Sequence, residues 1–109
     1  MAELTPQPDA LLTVHATVEA GDVPVVVLGG ELDSSNVAVL EQHVGEITGR
    51  SPPRVVFDLA NLRFMDSAGI AVLIATAAQV PLVEVRNPSA ILRRILETSG
   101  LTSVLRIAP

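Results

Sequence analysis

From Leu12 to Ile107 the spacing of apolar residues switches repeatedly between a period of two and a period near 3.6. That switching limits the fold more than any other feature of the chain. Leu12, Val14, Ala16 and Val18 alternate with Thr13, His15, Thr17 and Glu19, the pattern of a half-exposed strand. A Gly21-Asp22 turn follows, and Val25-Val26-Val27-Leu28 supplies a β-branched run suited to a more central strand over residues 24–30. Val37, Leu40, Val44 and Ile47 then form one stripe of an amphipathic helix, with Asp33, Ser34 or Ser35 to cap its start and Gly49 to stop it. Val55-Val56-Phe57, ending at Asp58, reads as an interior parallel strand, and residues 59–64 read as a loop.

Residues 68–78 are almost all small and apolar, which predicts a helix buried on most sides and stopped by Pro81. Residues 82–86 give a fourth strand. Asn87 as N-cap and Pro88 at the first helical position open a third helix, with Ile91, Leu92, Ile95 and Leu96 as its buried face. Arg93 and Arg94 point outward, Gly100 closes the helix, and residues 104–107 supply a short last strand. The order is β-β-α-β-α-β-α-β. It predicts an α/β fold with a mixed, mainly parallel sheet of four to five strands and three main helices, the first two strands antiparallel. Residues 1–10, with two prolines, read as a flexible lead-in to a single domain over 11–109.

Composition removes most chemistries. Seven basic against twelve acidic residues leave a net charge of −5, the wrong sign for phosphate backbones. Phe57 and Phe64 are the only aromatics, so base-stacking platforms are missing as well. There is no cysteine, hence no thiolate nucleophile or zinc-thiolate site. All seven basic residues are arginine, which removes Schiff-base catalysis and the lysine of a phosphate-binding P-loop. No His, Asp and Glu cluster has metal-ligand spacing, and Gly29-Gly30 is too sparse for a phosphate loop, so neither metal nor cofactor is expected. The apolar run at 68–78 falls short of the roughly 20 residues needed to cross a bilayer. The start, MAELTPQPDA, lacks the form of a signal peptide, so a cytoplasmic chain without membrane insertion is expected.

The sharpest local feature is Asp66-Ser67-Ala68-Gly69-Ile70, a hydroxyl at the mouth of a helix. Either Ser67 or Asp66 can cap that helix. Gly69, a poor helix former, points either to a close approach to the backbone or to tight internal packing. A nucleophilic serine fails on parts. The flanks Met65 and Gly69 match only half of the Gly-x-Ser-x-Gly elbow, and the only histidines, His15 and His43, lie on exposed faces. Asp33, Asp58 and Asp66 fall near the carboxyl ends of predicted strands and suggest an acidic rim around Ser67. These residues describe an interaction module rather than an enzyme.

Four blocks carry a resemblance: Gly30-Glu31-Leu32-Asp33 after a valine-rich strand, Val56-Phe57-Asp58-Leu59, Met65-Asp66-Ser67-Ala68-Gly69-Ile70, and Asn87-Pro88-Ser89 before an Ile/Leu helix that ends in Ser99-Gly100-Leu101. In this order they resemble the signature of STAS domains, most of all the stand-alone bacterial anti-sigma factor antagonists. The resemblance runs from about Leu12 to Ile107. It implies a protein that binds an anti-sigma factor, itself a serine kinase, and so frees a sigma factor. The kinase would phosphorylate Ser67, a serine phosphatase would reverse this, and the phosphorylated form would no longer bind. It implies a partner-facing edge made of Asp33, Ser34, Met65, Asp66, Ser67, Ala68, Gly69 and Ile70. A STAS subunit of a transporter or of a stress-sensing complex shares the fold without sigma-factor control. Two departures stand out. Gln79-Val80-Pro81 replaces a longer basic helix end, and Ser34 and Ser35 form a polar loop in which capping competes with phosphorylation.

Overall fold

The computed structural model describes residues 11–108. The lead-in at 1–10 lies outside the described residues. The elements are β1 (Leu12–Glu19), β2 (Val23–Leu32), α1 (Val37–Thr48), β3 (Arg54–Met65), α2 (Ser67–Ala77), β4 (Leu82–Arg86), α3 (Ala90–Thr98), a 3₁₀ turn (Leu101–Ser103) and β5 (Arg106–Ile107). They form one five-stranded sheet in the order β1-β2-β3-β4-β5. β1 pairs antiparallel with β2 and every other pair is parallel, as the alternation of periods predicts.

Strand order equals chain order, so each parallel connection steps the same way across the sheet. Right-handed crossovers then place all three helices on one face. The core agrees: Leu40 and Val44 of α1, Val72 and Leu73 of α2, and Leu92 and Leu96 of α3 share one cluster with Val26, Leu28, Phe57 and Val85. Alternate residues of the same strands, Val25 and Val56, point the other way. No helix covers them, yet Val56 is fully buried. Their cover is a chain of ion pairs. Glu84, itself buried, accepts from Arg54 and, at 3.0 Å, from Arg86 Nε, while Arg86 Nη1 reaches Glu19 at 2.6 Å. The register Val25–Val56–Glu84 sets Glu84 beside the two valines on this face, and its ion pairs run across the face to Glu19 on β1.

Several expectations need correction. Residues 59–64 are strand, not loop: β3 continues to Met65, paired along β2 as far as Leu32↔Met65. The register slips between Val27 and Gly29 and again between Gly30 and Glu31. Burial then recurs at Leu59, Leu62 and Met65, a spacing of three that no strand template detects. Gly30 sits at one slip with φ +88, where a Cβ would overlap the Leu11 carbonyl. The third helix starts later than expected. Its cap is Ser89, whose Oγ accepts from Leu92 N at 3.2 Å, while Asn87 is left-handed and donates to Asp58 Oδ1 at 3.3 Å. Ile91 leaves the expected buried face for solvent: Leu92 and Leu96, four residues apart, are the inward pair, and Ile91 lies at the edge of their stripe in the first turn. None of Asp33, Ser34 and Ser35 caps α1. The cap position is Asn36, whose side chain braces the loop instead, accepting from Asp33 N and donating to the Glu31 carbonyl.

Candidate functional site

The loops after β2 and β3 end side by side because Leu32 and Met65 are register partners. Asp66 N donates to the Leu32 carbonyl at 3.1 Å and fastens one loop to the other. Asp66, in extended conformation, is the N-cap of α2: its Oδ1 accepts from Ala68 N at 2.8 Å. Of the two capping residues the sequence left open, the structure selects Asp66. Ser67 is therefore the first helical residue, exposed, with its hydroxyl at the positive end of the helix dipole. Replacing Asp66 by Ala should lower the stability of the fold by about 1 kcal/mol in urea denaturation, the usual loss for an N-cap. The matching change at Ser67 should lower it far less.

Asp33 faces the same end of the sheet. Its Oδ1 accepts from Ser35 N at 2.9 Å and from Ser35 Oγ at 2.5 Å. Hydrogen bonds from the Ser35 hydroxyl and then the Ser35 amide hold its carboxyl below the usual carboxylate range, against a small opposing effect of desolvation. Ser35 is committed to this turn, and Ser34 is the freely exposed hydroxyl of the loop. Asp58 does not join the rim. It lies seven residues before Met65 along β3, on the order of 20 Å at about 3.3 Å per residue. There it accepts from Ala60 N and Asn87.

Met65 and Gly69, expected on the partner-facing edge, are buried. A Cβ on Gly69 would stand 2.5 Å from Met65 Cγ and 2.7 Å from Leu32 Cδ2. Gly69 is thus a matter of internal packing: it lets α2 seat against the ends of β2 and β3. Ala68 and Ile70 are half-buried, Ile70 against the core.

α2 is not buried on most sides. Gly69, Val72, Leu73 and Thr76 face inward, whereas Ser67, Ala71, Ile74, Ala75 and Ala78 are exposed, Ile74 by 47%. Their spacing of four, three, one and three is a single helical stripe, and Ser67 heads it. Sequence reasoning missed this surface because its residues are as apolar as those of the core; the stripe spacing was present. Beside it, Gly45, Glu41 and Thr48 of α1 face Ala71, Ala75 and Gln79 across a groove of about 340 Å³. Phe64, 46% exposed, extends the apolar surface onto the end of β3.

Among the described residues no catalytic constellation accompanies Ser67. His15 lies in β1 opposite Val27, well before the Leu32 end, and His43 Nδ1 is tied to the Val39 carbonyl at 2.9 Å. Among the described residues no group of three or more His, Cys, Asp and Glu could hold a metal, and no helix is long and apolar enough to cross a membrane.

The comparisons agree with this geometry. The anti-sigma-F factor antagonist RsfB of Mycobacterium tuberculosis is 33% identical over 73 residues, 67% of this chain. The match spans 58% of the length of RsfB. A crystal structure of an anti-sigma factor antagonist from Mycobacterium paratuberculosis superposes with a TM-score of 0.85 at 30% identity, over 96% of this chain and 91% of that one. The Bacillus cell fate determinant SpoIIAA, in its phosphorylated form, shares the fold with a TM-score of 0.70 at 20% identity, over 89% of this chain and 92% of its own. A family model described as "Mlab, STAS domain" matches residues 15–106. That match takes in all three helices and nearly the whole sheet, and the chain belongs to the STAS-domain family.

Proposed function

We propose that the protein is an anti-sigma factor antagonist, a cytoplasmic, non-enzymatic partner that binds an anti-sigma factor and thereby releases a sigma factor. The anti-sigma factor is a serine kinase that phosphorylates Ser67 and so ends the complex; a serine phosphatase restores binding. One observation carries this reading: the exposed apolar stripe of α2 begins at a free-standing hydroxyl. A partner that covers Ala71, Ile74 and Ala75 also covers Ser67. The surface that binds and the atom that is modified are then one surface.

The physics of the modification fits this arrangement. A phosphate brings about −1.5 to −2 charges and three acceptor oxygens. The helix N-terminus tolerates that charge, so the fold keeps its stability. A closely applied partner must instead bury it next to Asp66, with Asp33 on the adjoining loop. Binding is lost while the domain persists. RsfB and the Mycobacterium paratuberculosis protein bear the name of this activity, which supports the same assignment.

The test is to incubate the chain with its cognate kinase and ATP and to map phosphate by mass spectrometry. Label should fall on Ser67 and vanish in Ser67→Ala, with Ser34 and Ser35 unlabelled. Stoichiometric label that survives Ser67→Ala refutes the site. A chain that binds no anti-sigma factor in either state refutes the function and favours the transporter or stress-complex subunit.

A further inference from the structure

The second surface of interest is the outer edge of β1. This strand is eight residues long and pairs with β2 on one side; among the described residues nothing pairs with its other side. Chains usually blunt such an edge with proline, lysine, a bulge or an inward charge. β1 has no proline or lysine, and its register with β2 is unbroken from Leu12 to Glu19. Its one acidic residue, Glu19, is drawn over the helix-free face to Arg86.

Exposed apolar side chains gather along this edge. Val18 is 65% exposed, Leu11 45% and Val39 44%. Val39 projects from the side of α1 opposite Glu41, Gly45 and Thr48, so it overhangs β1 rather than the α1–α2 groove. Val18 leads into a groove of about 540 Å³ whose apolar wall includes Pro24, Ile47 and Pro52.

The strand's own sequence selects the occupant. Placed antiparallel to itself about His15, β1 sets Leu12 opposite Val18, Val14 opposite Ala16, Thr13 opposite Thr17 and His15 opposite His15. Each of these pairs matches in polarity and joins residues of one face, as cross-strand neighbours must, while Glu19 falls opposite Leu11 at the strand's end. No carboxylate meets a carboxylate, which a chain of net charge −5 would otherwise risk. We propose that β1 is a self-association edge. Two copies join β1 to β1 about His15 into one continuous sheet, with the helices of both on the same face. The twofold axis, normal to the joined sheet, sends the two Ser67 ends in opposite directions and leaves both free. The proposal is independent of what Ser67 binds.

Sedimentation equilibrium of the full chain across a wide concentration series is the test. Wild type should pass from monomer to dimer, and added salt should favour the dimer by screening the net charge. His15→Glu, which sets two carboxylates face to face, should weaken association about tenfold without changing the melting temperature measured at concentrations where wild type is monomeric. Mixing His15→Glu with His15→Lys should restore the dimer as a heterodimer, as expected when the two residues 15 are cross-strand neighbours. A wild-type chain that stays monomeric throughout, whether its edge is bare or covered by its own N-terminal residues, overturns the proposal. So does a His15→Glu chain that dimerises as well as wild type, or a mixture that fails to recover association.

Discussion

Replacing Ser67 by glutamate is expected to weaken binding to the anti-sigma factor about a hundredfold, roughly 2.8 kcal/mol at 1.4 kcal/mol per factor of ten. The melting temperature should stay at the wild-type value or rise slightly. Both halves follow from the position of the residue. A carboxylate in the first turn of α2 meets the positive end of the helix dipole, worth about 0.3–1 kcal/mol in its favour. The same carboxylate, beside Asp66 and at the head of an apolar stripe, must lose its water when a partner closes over Ile74 and Ala71. Ser67→Ala should bind as wild type does. Titration calorimetry with the purified anti-sigma factor, run beside thermal melts, separates the two effects. Equal affinity of Ser67→Glu and wild type contradicts the switch, and a collapse in melting temperature contradicts the placement of Ser67 outside the fold's support.

The largest expected loss of stability lies on the other face. Glu84→Ala removes the carboxylate that Arg54 and Arg86 share; Arg54 then loses its salt-bridge partner, and Arg86 keeps only Glu19. Breaking a fully buried pair costs about 3–5 kcal/mol; with roughly a third of each arginine side chain in water, about 2–3 kcal/mol is expected here. In a domain of this size that lowers the melting temperature by about 10 °C or more. Arg54→Met combined with Glu84→Leu should recover most of it, since an apolar pair covers Val56 without desolvated charge.

The same group sets a pH dependence. Burial pushes the Glu84 carboxyl up, but hydrogen bonds from Arg86 and Arg54, together with their charges, outweigh it and the net displacement is below 4.5. Glu19 is displaced downward as well, chiefly by its hydrogen bond to Arg86. A carboxylate held below its unfolded value stabilises the fold fully above that value, and the contribution disappears as pH falls through the lowered one. Wild-type stability should therefore drop on acidification below about 4.5, while Glu84→Ala should show a shallower slope there. An equal slope in urea titrations would remove Glu84 from the account.

Much of this was legible in the sequence, and the exceptions have physical causes. The stripe of α1 is legible because it buries one clean face, β1 because its apolar and polar residues alternate, and β4 because it is a short run bounded by Pro81 and Asn87. The second half of β3 did not, because two register slips converted a period of two into a period of three. α2 was recognised as a helix, but its outward face was not, since Ala71, Ile74 and Ala75 are no more polar than Val72 and Leu73. Hydrophobicity separates core from water only where the outer face is meant for water. The clasp of Glu19, Arg54, Glu84 and Arg86 is likewise silent in sequence, because its members lie on three strands and meet only through register. The resemblance located Ser67; the geometry showed why Met65 and Gly69, its neighbours in the same block, serve the interior.

The capping of α2 by Asp66 rather than Ser67 has a bearing on descent. Two adjacent residues divide two tasks: one holds the helix end, and the other holds none of the fold. A lineage can therefore exchange Ser67 for alanine or glycine in a single step without a folding defect. Under the proposed switch, the descendant keeps its partner surface and is deaf to the kinase. Regulation in such a chain is a detachable property, gained or lost at one position while the domain that carries it stays the same.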